Sequence, residues 1–234
     1  MMSTDKPIYD LFHGDKMHID VFHDTVCPWC RIGKRHLQLA LESRQQELVT
    51  IRYRSFFLNP DIPPEGYEFK PYMLAKGNGR MTLEDFFEAP RRMGLAVGLT
   101  MNFESITKAP NSLLSHRLIA LAPEDKQSAV LDAIYTAYFE YGRDIGDPDV
   151  LLGITTELGL NDIDWRTKLA SSEATDVVLN DVTYARQLGI SGVQFLIFDQ
   201  KYATSGAQPV ETLNRIMNEI QSLAGLFSFR NTIH

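Results

Sequence analysis

Two cysteines occur in this 234-residue chain, Cys27 and Cys30, separated only by Pro28 and Trp29. Ahead of them an apolar run, His18-Ile19-Asp20-Val21-Phe22, reads as a strand. After them, Arg31 to Ser43 reads as a helix with Ile32, Leu37, Leu39, Ala40 and Leu41 on its apolar side. A strand that delivers Cys-x-x-Cys onto the first turn of a helix suits thiol chemistry. The first N–H groups of a helix lack intrahelical partners, and the helix dipole places partial positive charge there, so a thiolate is favoured over a thiol. Cys27 falls at the N-cap, with its sulfur expected to be exposed. Pro28 falls at the first helical position, where a missing N–H costs little. The spacing predicts Cys27 as the attacking thiolate and Cys30, a turn further in, as the resolving sulfur that holds its proton more tightly.

The same spacing is also half of a zinc site. A closed zinc site takes four ligands, however, and no second cysteine pair exists. His23 and His36 lie nearby in sequence, but zinc pairs sit in tight turns rather than between a strand and a helix. The reading therefore assigns no metal and no cofactor.

A formal net charge of −7 argues against nucleic acid or an anionic membrane as partner. The N-terminus, Met1-Met2-Ser3-Thr4-Asp5-Lys6, shows no basic segment followed by an apolar one, and no apolar run is long enough to span a bilayer. The expected location is the cytoplasm, where a lone cysteine pair is catalytic or redox-sensing more often than structural.

Residues 1–16 read as an extended polar arm. Val49 to Leu58 alternates and is rich in β-formers, giving a second strand parallel to the first through a helical crossover. Asn59-Pro60-Asp61-Ile62-Pro63-Pro64-Glu65-Gly66 is a breaker cluster and a domain boundary. From Tyr67 to Gly189 only helical patterns appear: Phe69–Lys76, Thr82–Gly94, Asn111–Ala122, Glu124–Tyr141, Asp147–Gly159 and Thr167–Leu188. Strand character returns at Val193–Phe198. A two-residue turn at Asp199-Gln200 leads back through Lys201–Ser205, and a closing helix runs from Val210 to Leu223. The tail from Leu226 to His234 reads as a packed arm or an oligomer contact. The fold class is thus α/β: a thioredoxin layout built from 17–66 and 190–224, with an all-helical domain inserted at 67–189.

The chain resembles the DsbA-like thioredoxin superfamily, in the branch of FrnE-like cytoplasmic oxidoreductases related to 2-hydroxychromene-2-carboxylate isomerases. The resemblance is carried by Asp24 to Arg35 around the cysteines, by Phe57-Leu58-Asn59-Pro60, and by Ala109-Pro110-Asn111-Ser112 with His116-Arg117-Leu118. Ala137-Tyr138-Phe139, Gly142 to Ile145, Gly189 to Val193 and Tyr202 to Gln208 complete it. It implies thiol–disulfide exchange at Cys27 and Cys30, with protein or small-molecule thiols and disulfides, glutathione among them, as partners. A homodimer is also compatible with it. Relatives of the isomerase type usually carry serine at the first motif position, whereas this chain has Cys27.

One position departs from the family. The loop before the third strand normally reads Gly-Val-Pro with a cis proline facing the cysteines, and here it reads Gly192-Val193-Gln194. A cis bond before a residue other than proline costs ~2.5–4 kcal/mol, so a trans peptide is expected. By the resemblance, Val193 offers backbone groups to a substrate chain, and Gln194 would either shift them or lay an amide over the sulfurs. Loss of the proline ring also opens metal or cluster ligation between two subunits as a further reading.

Other candidates have two roles each. Asp24 is a strand-end polar residue or the proton acceptor for Cys30, and His23 is its alternative as a partner for the Cys27 thiolate. Trp29 offers a rigid apolar contact to substrate. Asn111 is an N-cap or, by the resemblance, a substrate contact. His116, on the same predicted helix, reads as a satisfied buried histidine. Lys34, Arg35 and His36 read as a solvated helix face whose charge could support a thiolate. Ser205, Gly206 and Gln208 start the closing helix, where an anion such as a glutathione carboxylate could sit.

Overall fold

The structure is a computed structural model that describes residues 16–42, 44, 49–78 and 80–230. The predicted N-terminal arm and the last four residues of the tail lie outside these. The first strand, β1 (Met17–His23), runs into helix α1 (Pro28–Glu42), and β2 (Val49–Ser55) returns parallel to β1, pairing Met17 with Val49 and His23 with Ser55. The hairpin strands β5 (Phe195–Phe198) and β6 (Tyr202–Ser205) complete a sheet of order β2-β1-β5-β6, with β5 antiparallel to β1. At the hairpin turn, Asp199 and Gln200 both have positive φ, 47° and 58°. Two such residues form the tight connection whose twist matches the flanking strands.

Alternation along the strands decides what each face of the sheet meets. Ile19 and Val21 pack with Leu37 and Ala40 of α1 and with Leu213, Met217 and Ile220 of α9 (Val210–Arg230). Phe22, on the other face, packs with Ala185 of α8 (Thr175–Gln187) and with Phe56 and Ile190. Arg54 on β2 bridges the sheet to α8, at 2.7 Å from Asp20 and 2.8 Å from Asp181, whose second oxygen accepts the Ser55 N–H at 3.2 Å.

Between β2 and β5 the chain is mainly helical. Helices α2 (Phe69–Lys76), α3 (Leu83–Leu95), α4 (Leu113–Leu121), α5 (Gln127–Phe139), α6 (Pro148–Glu157) and α7 (Trp165–Ala170) precede α8. Local chemistry places their starts: Thr82 and Asp85 form a capping box on α3, and Asp147 caps α6 with Pro148 in its first turn. The strongest pattern in the sequence, Val130, Leu131, Ile134, Ala137 and Tyr138, is the buried side of α5.

Three expectations need correction. The segment contains strand after all, because β3 (Tyr67–Glu68) and β4 (Lys108–Ala109) pair across the intervening helices α2 and α3, which no local pattern could reveal. The predicted helix from Thr167 to Leu188 is two helices, since α7 ends at Ser171 in extended backbone and α8 starts after Ala174 at φ 62°. Lys34 and His36 are not solvated: Lys34 Nζ meets Asp132 at 2.6 Å and Ser128 at 3.0 Å on α5, and His36 Nδ1 lies 2.9 Å from the Gln208 carbonyl. Arg31, equally buried, pairs with Glu140 and donates to the Thr100 carbonyl at 2.7 Å. The cationic face of α1 is what the helical segment is fastened to.

The Arg54–Asp181 contact gives a test of this architecture. Asp181→Ala leaves the buried Ser55 N–H without its acceptor and removes one of the two carboxylates at Arg54. It is expected to lower stability by about 2–3 kcal/mol, measured by urea denaturation.

Candidate active site

Where β1 ends, the chain turns through Asp24, Thr25 and Val26 and enters α1 at Pro28. Cys27 is fixed there by its own backbone: its N–H donates to the Asp24 carbonyl at 3.1 Å, and its carbonyl accepts from the N–H groups of Cys30 at 3.1 Å and Arg31 at 3.3 Å. The N–H of Cys30 also points at Cys27 Sγ, at 3.3 Å. Cys27 and Cys30 approach to 3.2 Å without a bond between them. Burial pushes the Cys30 thiol well above its usual range, and the hydrogen bond and charge of Cys27 push it the same way. The Cys30 sulfur therefore keeps its proton until something removes it.

Cys27 is not exposed, contrary to expectation: only 2% of its surface reaches solvent. The cause is the helical segment, whose aromatic residues roof the motif. A cavity of about 300 Å³ lies between them. Its near wall is Val26, Cys27, Trp29 and Val193, and its far wall includes Phe69, Tyr72, Phe87, Phe103 and Tyr138. Phe87 stacks on Phe103 at 4.1 Å and on Phe69 at 5.6 Å, which makes that wall continuous. Two polar groups interrupt it. The Tyr72 hydroxyl has no hydrogen-bond partner, and burial pushes its pKa up to about 12. Lys76 Nζ lies 4.9 Å from the Tyr72 ring centre.

The Val193–Gln194 peptide is cis, which overturns the expected trans bond. The local preference leaves out the contacts that hold this loop on both sides. The Val193 carbonyl faces Cys27 Sγ at 3.7 Å, and the Gln194 carbonyl accepts the Gly206 N–H at 2.8 Å. The Gln194 side chain is 1% exposed, with its amide wedged against α1 at Gly33. A Cβ on Gly33 would stand 1.5 Å from Gln194 Oε1, so this glycine is the space into which the amide fits. Neither polar atom of that amide has a partner.

Beneath the cysteines lies a compact buried group. Asp24 is 0% exposed, and its carboxylate accepts from the Leu58 N–H at 2.8 Å and the Val26 N–H at 3.4 Å. His23 is 2% exposed, with its Nδ1 3.5 Å from the Tyr135 hydroxyl. Burial, then the neighbouring His116 and Lys34, hold its pKa well below 6.5. Sequence reasoning missed Tyr135, whose hydroxyl lies 3.4 Å from the Asp24 carbonyl, and the aromatic far wall. The only signal for Tyr135 was its place on the apolar helix α5. Asn111 precedes α4 rather than belonging to it. Its Oδ1 accepts the Leu113 N–H at 3.0 Å, and its Nδ2 donates to the carbonyl of Ile62, a cavity residue, at 2.6 Å. Ser205 ends β6 rather than starting the closing helix, and Gln208 in the link to α9 donates its amide to the Ser205 carbonyl at 2.6 Å. Among the described residues no group of three or more His, Cys, Asp or Glu side chains is placed to hold a metal ion.

This fold and this cysteine pair define a thioredoxin-type protein with a helical insertion, and comparison with known proteins gives the family. Residues 18–218 match the DSBA-like thioredoxin domain, and the chain belongs to that family. Among solved structures it is similar to the probable DsbA oxidoreductase SCO1869 from Streptomyces coelicolor. The two share 28% identity over 87% of this chain and 89% of that one, with a TM-score of 0.77. It shares its fold with a 2-hydroxychromene-2-carboxylate isomerase, at 16% identity over 89% of this chain and 98% of the other, TM-score 0.68. It also shares it with the cytosolic disulfide reductase DsbM from Pseudomonas aeruginosa with GSH, at 18% identity over 87% and 99%, TM-score 0.62.

Two measurements test the site. Gly33→Ala is expected to cost about 1–3 kcal/mol by overpacking, and Gln194→Ala added to it should recover part of that loss in urea denaturation. The second concerns His23. Well above pH 6.5 this residue is neutral in both folded and unfolded chains. Below that, the unfolded chain takes up a proton that the folded site resists, so stability falls with falling pH until the folded site protonates. The slope from His23 reaches about 1.4 kcal/mol per pH unit at most, and His23→Gln should flatten it.

Proposed function

We propose that the protein is a thiol–disulfide oxidoreductase that works through a mixed disulfide at Cys27. The observation that carries this reading is the Cys30 N–H aimed at Cys27 Sγ at 3.3 Å, at the start of α1 and beside the substrate-sized cavity. The Cys27 thiolate attacks one sulfur of a disulfide, forms a bond to it and expels the other as a thiolate. Cys30, once deprotonated, attacks Cys27 Sγ, closes the Cys27–Cys30 disulfide and expels the second substrate thiolate. The substrate gains two electrons and the pair loses them; run in reverse, the same steps oxidise a dithiol. Relative reduction potentials set the direction. Asp24 accepts the Cys30 proton, Trp29 and the aromatic far wall hold the apolar part of the substrate, and the Val193 carbonyl meets its backbone or amide groups.

In this reading 17–66 and 190–224 form the redox domain, and 67–189 is the helical domain that roofs it. Glutathione is the small-molecule thiol, a reading supported by the fold shared with DsbM, which was solved with GSH. The compartment is the cytoplasm, a reading supported by the fold shared with the cytosolic disulfide reductase DsbM.

The size and aromatic lining of the cavity favour one second reading, a glutathione-dependent isomerase or transferase acting on a small aromatic molecule. Saturable glutathione binding by the Cys27→Ser/Cys30→Ser protein, with turnover of such a molecule, would replace the first reading by this one.

The main test is direct. Cys27→Ser is expected to lose disulfide-reducing activity by at least about 100-fold. Cys30→Ser should accumulate a mixed disulfide at Cys27, visible as a mass increase that dithiothreitol removes. Undiminished turnover by Cys27→Ser would sink the proposal.

A further inference from the structure

The proposed mechanism leaves the Cys30 proton without an exit on the substrate side. Cys30 is 1% exposed and takes no part in the wall of the 300 Å³ cavity. During resolution that cavity is occupied by the substrate half of the mixed disulfide, and its aromatic lining excludes water.

On the opposite side a second cleft, of about 100 Å³, opens between β2, α4 and α8. Its rim carries the exposed residues Arg52 and Val177, and its floor is made of buried His23, Ser55, His116 and Asp181. His116 is 1% exposed, and neither of its ring nitrogens has a hydrogen-bond partner. Its Nε2 lies 3.4 Å from Asp24 Oδ1, within ion-pair distance but without hydrogen-bond alignment. A buried imidazole left without partners is costly unless water reaches it. A cleft of this size has room for about three water molecules at their share of liquid volume.

The same group connects to the cysteines. The Asp24 carbonyl accepts the Cys27 N–H at 3.1 Å, the Cys30 N–H points at Cys27 Sγ at 3.3 Å, and the charge on Asp24 pushes the Cys30 thiol upward. The rings of His23 and His116 lie 5.0 Å apart, and Tyr135 contacts both His23 and the Asp24 carbonyl.

We propose that Asp24 and His116 form a proton path that carries the Cys30 proton away from the substrate, through the far-side cleft to solvent. This rests on the oxidoreductase reading above. Cys30 loses its proton to the Asp24 carboxylate and attacks Cys27 Sγ as a thiolate. Asp24 passes the proton to His116 Nε2, and His116 releases the one on Nδ1 to water in the cleft. The expelled substrate thiolate takes its proton from solvent, so charge and protons balance. The charged and titratable groups that face this path are His23 and Asp24 from the end of β1, and Cys27, Cys30 and Lys34 from α1. Arg52 and Tyr53 face it from β2, Tyr72 and Lys76 from α2, Tyr135 and Tyr138 from α5, and Asp181 from α8. His116 acts through Asp24 and is a positioning and relay residue rather than one that touches substrate.

The test is a single-turnover measurement on the full chain. A mixed disulfide is formed at Cys27 with a chromogenic aryl disulfide, and release of the second aryl thiol is followed across neutral and alkaline pH. In His116→Gln, release is expected to slow by about tenfold to 100-fold, with its pH profile displaced to higher pH, while alkylation of Cys27 keeps its wild-type rate. Ala120→Leu, which fills the cleft from its wall, should slow release in the same direction and decides the matter if His116→Gln does not fold. Wild-type release rates and pH profile in both variants would overturn the proton path and leave the oxidoreductase reading standing. A wild-type protein that forms no mixed disulfide at Cys27 would overturn both.

Discussion

The rest of the molecule depends on the junction at which the end of β1 hands the chain to the first turn of α1. Two sulfurs are held there at 3.2 Å, one at the helix N-terminus and one inside the first turn. That asymmetry separates their chemistry. The outer sulfur accepts from a backbone N–H that can stabilise negative charge on it, while the inner one is buried among groups that oppose such charge. Both are nearly out of water. In such a place fixed N–H groups count for more than they would in bulk solvent, because little water competes with them.

Burying that junction is the work of the helical segment, and the fastening is electrostatic as much as apolar. Arg31, Lys34 and His36 leave the buried face of α1 for partners on α5, on the loop around Thr100 and on the start of α9. Each of these residues lies close to the redox motif in sequence. Movement of the helical roof is therefore coupled to the helix that carries the cysteines. The roof contributes the aromatic wall of the cavity, so the same contacts that stabilise the assembly shape what can approach Cys27.

Gln194 shows how a departure from a family pattern is accommodated. The residue keeps the loop close to the sulfurs through its carbonyl and through Val193, and its side chain occupies a notch that exists only because residue 33 is glycine. Taken alone, the substitution of glutamine for proline reads as a disruption. Beside Gly33 it reads as half of a matched pair. Sequence inspection could not pair them, since positions 33 and 194 are 161 apart along the chain.

By itself the sequence determined what depends on neighbours along the chain. The Cys-Pro-Trp-Cys turn, the strand before it, the helix after it, the β5–β6 hairpin and the buried stripe of α5 all follow from short-range sterics, capping and periodicity. Tertiary structure alone decided how far water reaches. It buried Cys27 under aromatic residues from a distant segment, turned Lys34 and His36 inward from what reads as a solvated face, and made the Val193–Gln194 bond cis. It also brought His116 to Asp24 across 92 positions of chain. The reason is physical: solvation and packing are properties of surfaces brought together from far apart, and no window of consecutive residues contains both sides.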